Sequence, residues 1–372
     1  MLLAVAVAAP GDADEQVPIR ELLRTRIEAR DGGSSRVGAE PLHATETASR
    51  FYQARGFEPA WWRDGRLVDG VSGLLEALQG AESHGLNPDD YHADVIATWF
   101  ERDPAGAEPL GSRGVVDREL LLTDAFLVYG THLLSGRLDS RSIDPEWIAT
   151  PRATDLLPLL REVVDGMDPV EALEGLAPVA PGYRRLMGAL TDLRRIDAVG
   201  GWPRIVQGAT LREGDDGERI AVLRRRLEIS GDLDPVPDID AASFDALLAA
   251  AVRRFQVRHG LDPDGVVGRK TLEELDVDAG KRAEQVRVNL ERWRWLPEEL
   301  GRRHVRVNIA AFSLSAMEDG VDVLPMRAVV GRTYRRTPVF SGMMTYLVLN
   351  PSWHVPKRSE ERRVGKECAT GC

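Results

Sequence analysis

The sequence predicts a multidomain α+β chain, with two helical units followed by antiparallel β structure. Two patterns and the length point there. Between residues 51 and 278 apolar positions recur mostly at helical spacing, whereas from Val305 the period falls to two. A length of 372 residues suits two or three domains better than one. Hydrophobic residues at 43% and charged residues at 29% fit a globular protein and exclude a collagen-like or wholly disordered chain. Lys and Arg number 48 against 59 Asp and Glu, a net charge of −11. A phosphate-binding surface needs a basic excess, so nucleic acid is excluded as the main ligand. No apolar run approaches the ~20 residues of a membrane-spanning helix.

Residues 1–20 read as the remnant of an export signal. Leu2 to Ala9 is a short apolar run with A-x-A spacings at Ala4-Val5-Ala6 and Ala6-Val7-Ala8, but no basic segment precedes it. The competing reading is a frayed terminus. The only cysteines are Cys368 and Cys372, so no disulfide framework staples the body. No two histidines fall at i, i+4 on one helix, and no metal or cofactor is expected.

Residues 40–205 form the first helical unit. Val71–His84 places Leu74, Leu75 and Leu78 on one face, stopped by Gly85 with Pro88 beyond. Asp117–Leu134 aligns Leu121, Leu122, Ala125 and Val128 with His132 a turn further on, and Leu159–Val164 and Tyr183–Leu193 continue the pattern. Phe51, Tyr52, Phe57, Trp61 and Trp62 read mainly as core.

Residues 206–280 form a second helical unit. Ile220, Leu223 and Leu227 share a helix face. Ser243 is expected to cap a helix presenting Phe244, Leu247, Leu248, Ala251, Val252 and Phe255. Gly260 ends it, Asp262-Pro263-Asp264-Gly265 turns the chain, and Thr271–Leu275 starts a last helix.

Residues 285–358 then turn to β alternation: Val305, Val307 and Ile309; Leu314 and Ala316; the turn Glu318-Asp319-Gly320; Val321 and Val323; Met326, Ala328 and Val330. Tyr346–Leu349 is expected as one more strand, ended by Asn350-Pro351.

Three groups of strings carry a resemblance. Gly214-Asp215-Asp216-Gly217, Phe255-Gln256, Gly260-Leu261 and Asp264-Gly265-x-Val267-Gly268-x-x-Thr271-Leu272 resemble the three-helix peptidoglycan-binding domain of cell-wall enzymes. Val329 to Ser341 and Tyr346 to Pro356 resemble the first part of an L,D-transpeptidase catalytic domain, and Asn289 to Trp295 is similar to its lead-in. Phe51-Tyr52-x-x-Arg55-Gly56-Phe57-x-Pro59-x-Trp61, with Gly85 to Tyr91, resembles the helical scaffold of the large periplasmic subfamily.

That resemblance implies acyl transfer on peptidoglycan in the periplasm or cell envelope. In the family a cysteine thiolate attacks the amide before the D-Ala of a tetrapeptide stem, and an amine from a neighbouring stem resolves the thioester as a 3-3 cross-link. A histidine takes the thiol proton and backbone N–H groups hold the oxyanion. The partners implied are stem peptides and glycan, and the substrate contacts implied are Tyr334, Arg335, Thr337, Tyr346, Asn350 and Trp353. The family signature, S/T-H-G-C, occurs nowhere in the sequence. Residues 359–372 therefore read as a foreign tail, 285–358 as an incomplete catalytic domain, and the chain as an inactive murein L,D-transpeptidase. The alternative is a non-catalytic peptidoglycan-binding scaffold protein. Between Val323 and Arg358 there is no acid, while Arg327, Arg332, Arg335, Arg336, Lys357 and Arg358 are present. Such a run reads either as a solvated face or as a patch for stem-peptide carboxylates.

Overall fold

A computed structural model describes residues 17–29, 35–102, 110–235, 237, 240–297, 300–332 and 334–350. The expected leader and the tail from 351, with Trp353, Lys357 and Arg358, lie outside the described residues. The chain is multidomain α+β and divides after Val339 into two compact units.

In chain order the elements begin with α1 (Ile19–Glu28), the hairpin β1 (Arg36–Val37) and β2 (Glu40–Pro41), and α2 (Thr45–Ala54). A second hairpin follows, β3 (Trp62–Arg63) with β4 (Arg66–Leu67), then α3 (Gly70–Gln79), α4 (Ala93–Arg102), α5 (Ser112–Ser135) and α6 (Ser140–Ile143). The first helical region closes with α7 (Leu157–Val164), α8 (Pro169–Glu174) and α9 (Pro181–Ala198). Next come α10 (Glu218–Ile229), α11 (Ala246–Arg258), α12 (Arg269–Leu275) and α13 (Ala279–Arg294). The sheet is β5 (Arg303–Asn308), β6 (Ser313–Glu318) and β7 (Val321–Arg327), antiparallel in that order.

The scaffold core forms around α5, which is buried on nearly every side. Phe51, Tyr52 and Trp61 are fully buried there, with Leu74, Leu78, Phe126, Leu160 and Leu190. The expected α3 stop holds: a 3-10 turn at Gly80–His84 ends in Gly85 at φ +73°, the left-handed value glycine adopts without strain. Helix α13 belongs to this core through Ala283 and Leu290.

The second core gathers Ile220, Leu223, Leu227, Phe244, Leu248, Val252, Phe255 and Leu272. Two expectations need correction. The cap of α11 is Asp245, whose Oδ1 accepts from the Leu248 N–H at 2.7 Å, because the first helical residue is Ala246 and Ser243 lies too far back. Leu247 is 52% exposed, in the first turn of α11 and outside its buried set of Leu248, Ala249, Ala251, Val252, Phe255 and Gln256.

In the sheet, Val305 pairs with Ala316 and that with Leu324, while Val307 pairs with Leu314 and that with Met326. One face therefore collects the apolar side chains. The β6–β7 connection turns through Asp319 (φ +50°) and Gly320 (φ +80°), the double positive φ of a type I′ hairpin. An irregularity between Ala316 and Met317 shifts the register, so Val323 falls out of the alternation. The strands end at Asn308 and Arg327, short of Ile309, Ala328 and Val330. The expected strand Tyr346–Leu349 is also corrected: these residues carry no strand pairing and Tyr346 is 79% exposed. An apolar β-rich run becomes a strand only where a neighbouring backbone offers partners.

Candidate substrate-binding segment

Beyond β7 the chain runs through a tight loop that holds three of the expected contact residues. Arg335 N–H donates to Arg332 O at 2.8 Å, and Gly331 N–H donates to Thr337 Oγ1 at 2.7 Å. A Cβ at position 331 would lie 2.1 Å from Arg335 O, so only glycine allows this closure. Tyr334 and Arg335 project from the loop exposed, and Arg332 Nη1 donates to Tyr334 Oη at 3.1 Å. Thr337, by contrast, is spent on the loop's own geometry. Arg327, Arg332, Arg335 and Arg336 are all exposed, a cationic run on and around the loop. Tyr346 and Asn350 fall in the second unit, and Trp353 lies outside the described residues.

The loop ends on the scaffold. Val339 N–H donates to Glu146 O at 3.0 Å, and Val339 O accepts from Ile148 N–H at 2.7 Å and Ala149 N–H at 3.1 Å, a parallel β-bridge. Trp147 packs edge-on to Trp295, with ring centroids 5.1 Å apart, beside Leu296 and Val339. Arg336 Nη1 lies 3.8 Å from Asp144 Oδ2.

Trp295 is held in turn. Its indole N–H donates to Glu291 Oε1 at 3.1 Å, an oxygen that also takes the Arg137 and Leu138 N–H groups. Glu291 Oε2 accepts from Arg294, and Arg294 reaches Tyr183 Oη at 2.9 Å and His84 O at 3.0 Å. Although burial alone would lower it, the guanidinium of Arg294 is held above its usual value by Tyr183 and Glu291. Sequence reasoning missed this network; an Arg enclosed by Trp293 and Trp295 near a helix end was its one visible sign.

Other buried polar groups of the scaffold hold segments together. Glu119 accepts from the Ala60 and Trp61 N–H groups and from Tyr52 Oη at 2.7–2.8 Å, and burial pushes it up to about 7. His92 bridges Glu40 and Asp124 at 2.9 and 3.0 Å; burial opposes its charge, but the two carboxylates prevail and raise it. His132 is held down at about 4 by burial. In the second core Gln256 clips the turn: its Nε2 donates to Asp264 Oδ1 at 2.7 Å and Val266 O at 3.0 Å, while its Oε1 accepts from Gly265 N–H. The Gln256, Asp264 and Gly265 of the recognised string thus build the turn itself. Among the described residues no cluster of His, Cys, Asp and Glu has the geometry to hold a metal, and no helix is long and apolar enough to cross a membrane.

Comparison with known proteins follows this architecture in chain order. The scaffold domain family matches residues 46–190, from α2 into α9. The family described as "Putative peptidoglycan binding domain" matches 216–275, which is α10 to α12. The L,D-transpeptidase catalytic domain family matches 302–367, taking in β5–β7 and the loop. Taken together, the three matches make the chain similar to L,D-transpeptidases that carry a scaffold and a peptidoglycan-binding domain. A 75-residue stretch is 33% identical to the Haemophilus influenzae protein named "Putative L,D-transpeptidase", covering 20% of this chain. It spans about 15% of that relative's length. The transpeptidase match runs on to residue 367, beyond the 358 at which sequence reading ends the catalytic segment. Helix α13 falls between the second and third matches, yet it ties scaffold to loop.

Proposed function

We propose that this chain is an L,D-transpeptidase family member acting on peptidoglycan in the periplasm, its lineage chemistry being cysteine acyl transfer that forms 3-3 cross-links. Residues 206–280 hold the wall polymer, and Tyr334 and Arg335 contact the stem peptide on a loop whose closure Thr337 supports; Tyr346, Asn350 and Trp353 are further contacts implied by the resemblance alone. One observation carries the reading: scaffold, wall-binding and transpeptidase matches stand in that order, the last on the sheet and loop that display Tyr334 and Arg335. The exposed Arg327, Arg332 and Arg335 suit the stem's carboxylates, which guanidinium groups grip bidentately.

Within these 372 residues no Ser/Thr-His-Gly-Cys occurs, and position 370, where the histidine would stand before Gly371 and Cys372, is Thr. A thiol without a positioned base is weakly activated. The polypeptide of this sequence is therefore expected to bind peptidoglycan without being acylated. Co-sedimentation with sacculi and intact-mass analysis after carbapenem treatment test both halves. Binding without an adduct is the expected outcome. A stoichiometric adduct on Cys372 would overturn the second half, and a folded chain left wholly in the supernatant the first. The missing signature also favours a second reading, a non-catalytic wall-binding protein. Release of D-Ala from a tetrapeptide by protein purified from its source cells would exclude it.

A further inference from the structure

We infer that the scaffold segment Asp144–Ala149, anchored by Trp147, is a positioning element that sets the presentation of the 331–339 loop to its ligand. The inference rests on the reading of that loop as a stem-peptide contact. Its physical basis is the uneven way the loop is held. Val329 and Tyr334 are exposed, at 103% and 72%, so solvent surrounds most of the segment. At Val339 the situation reverses. Three backbone hydrogen bonds in two directions join this one residue to Glu146, Ile148 and Ala149. The preceding Pro338 has a fixed φ, which limits how the loop can enter the bridge.

The anchor is itself rigid. Trp147 is 8% exposed, and its indole N–H is buried without a protein acceptor, so packing rather than hydrogen bonding holds the ring. Its platform is Trp295, fixed by Glu291, which also binds the Arg137 and Leu138 amides leading into the anchor segment. Helix α13 thereby braces the anchor from both directions. At the far end of the loop, Gly331 and Thr337 close the turn internally. With the turn closed and its exit pinned, Tyr334 and Arg335 have few ways to point. Residues of the scaffold that touch no substrate thus select the loop geometry that does.

Residue-resolved hydrogen exchange on the full chain, paired with calorimetric binding of a stem tetrapeptide, tests this. In the unaltered chain the amides of Ile148, Ala149 and Val339 exchange slowly. Trp147→Ala is expected to speed Val339 and the 331–337 amides by about tenfold or more while α9 and α11 stay protected, because only the local opening changes. Peptide affinity should fall about tenfold as the binding-competent fraction shrinks. Trp147→Phe, which keeps an aromatic ring against Trp295, should restore both. Unchanged exchange in Trp147→Ala overturns the inference, as does accelerated exchange with undiminished peptide affinity. Faster loop exchange in a protein whose unaltered form binds no peptide would retain the anchor and reject the substrate reading. Should Trp147→Ala fail to fold, Val339→Pro removes the N–H donated to Glu146 without touching either helical core. It must give the same release of 331–337, and an unaltered loop in that variant equally overturns the inference.

Discussion

Leu290 and Val305 stand on neighbouring segments, yet the first is fully buried and the second is half exposed. The scaffold satisfies its apolar surface internally. Its helices surround α5, and α13 covers the remaining face. The sheet β5–β7 does the opposite. Its cross-strand pairs align Val305, Val307, Leu314, Ala316, Leu324 and Met326 on one face, with Val305, Leu324 and Met326 45–53% exposed. Backbone pairing and alternation alone suffice to form a hairpin; a second layer is what turns such a sheet into a core. Stability should accordingly reside in the helical part and be little affected by the sheet.

Four outcomes would break or sharpen this contrast. The largest effect is expected at Glu119. Glu119→Leu strands the Ala60 and Trp61 amides in the core while the Tyr52 hydroxyl keeps Thr123 Oγ1, each stranded amide costing about 1–3 kcal/mol, so urea unfolding should show a loss of about 4 kcal/mol. A loss below about 1 kcal/mol would mean the scaffold core does not depend on that node. Next, Leu290→Ala should cost about 3 kcal/mol by the same measurement, the range for emptying a filled core site. If it cost as little as a surface change, α13 would be an appendage of the scaffold.

The third outcome is a pH dependence with two opposite signs. His92 has its folded value raised, so its contribution is fully present below its unfolded value and is lost as pH rises through the folded one. His92→Gln should cost about 2 kcal/mol at pH 6, the scale of hydrogen bonds to charged groups, and less at pH 9. His132 is lowered to about 4, so its contribution is present above 6.5 and is lost as pH falls towards 4. Thermal melts of the His132→Phe variant should show a flatter acid limb than the parent. The same sign for both would refute the assigned environments. The smallest effect belongs to the sheet: Val307→Thr should alter urea unfolding by no more than about 0.5 kcal/mol while reducing binding of an apolar dye. A loss of 2 kcal/mol or more would mean that the face is covered after all.

How much of this was legible beforehand varies with the physics involved. The apolar face of α11 was readable because Leu248, Ala251, Val252 and Phe255 repeat at helical spacing, and the period alone reports burial. The strands were readable because alternation survives even without a covering layer. Period does not report polar clips. Gln256 looked like part of a family string, yet its amide ties Asp264, Gly265 and Val266 together, a role visible only after the chain folds back. In sequence helix α13 reads only as a lead-in to the sheet, because its surface is rich in Arg, Glu and Gln and its buried contacts come from α9 and Gly85, distant in sequence. Tyr346–Leu349 shows the converse, a strong local β preference with no paired neighbour. Of the candidate site, the loop residues were found from the resemblance, whereas the scaffold bridge at Val339 carried no sequence mark.

The junction ahead of α13 has a kinetic meaning. Asp276, Val277 and Asp278 alone separate α12 from α13, and this joint is fastened on several sides. Trp202 donates to Val277 O, Asp278 accepts from Lys281 N–H, and Arg282 reaches back to Glu274. Such a joint leaves little slack for the wall-binding module to swing like a tethered float. Under the proposed function, a polymer strand captured there would be delivered at one bearing relative to the scaffold, because the orientational search has already been completed during folding. Inserting a glycine-serine spacer between Val277 and Asp278 would leave capture intact but would scatter that bearing.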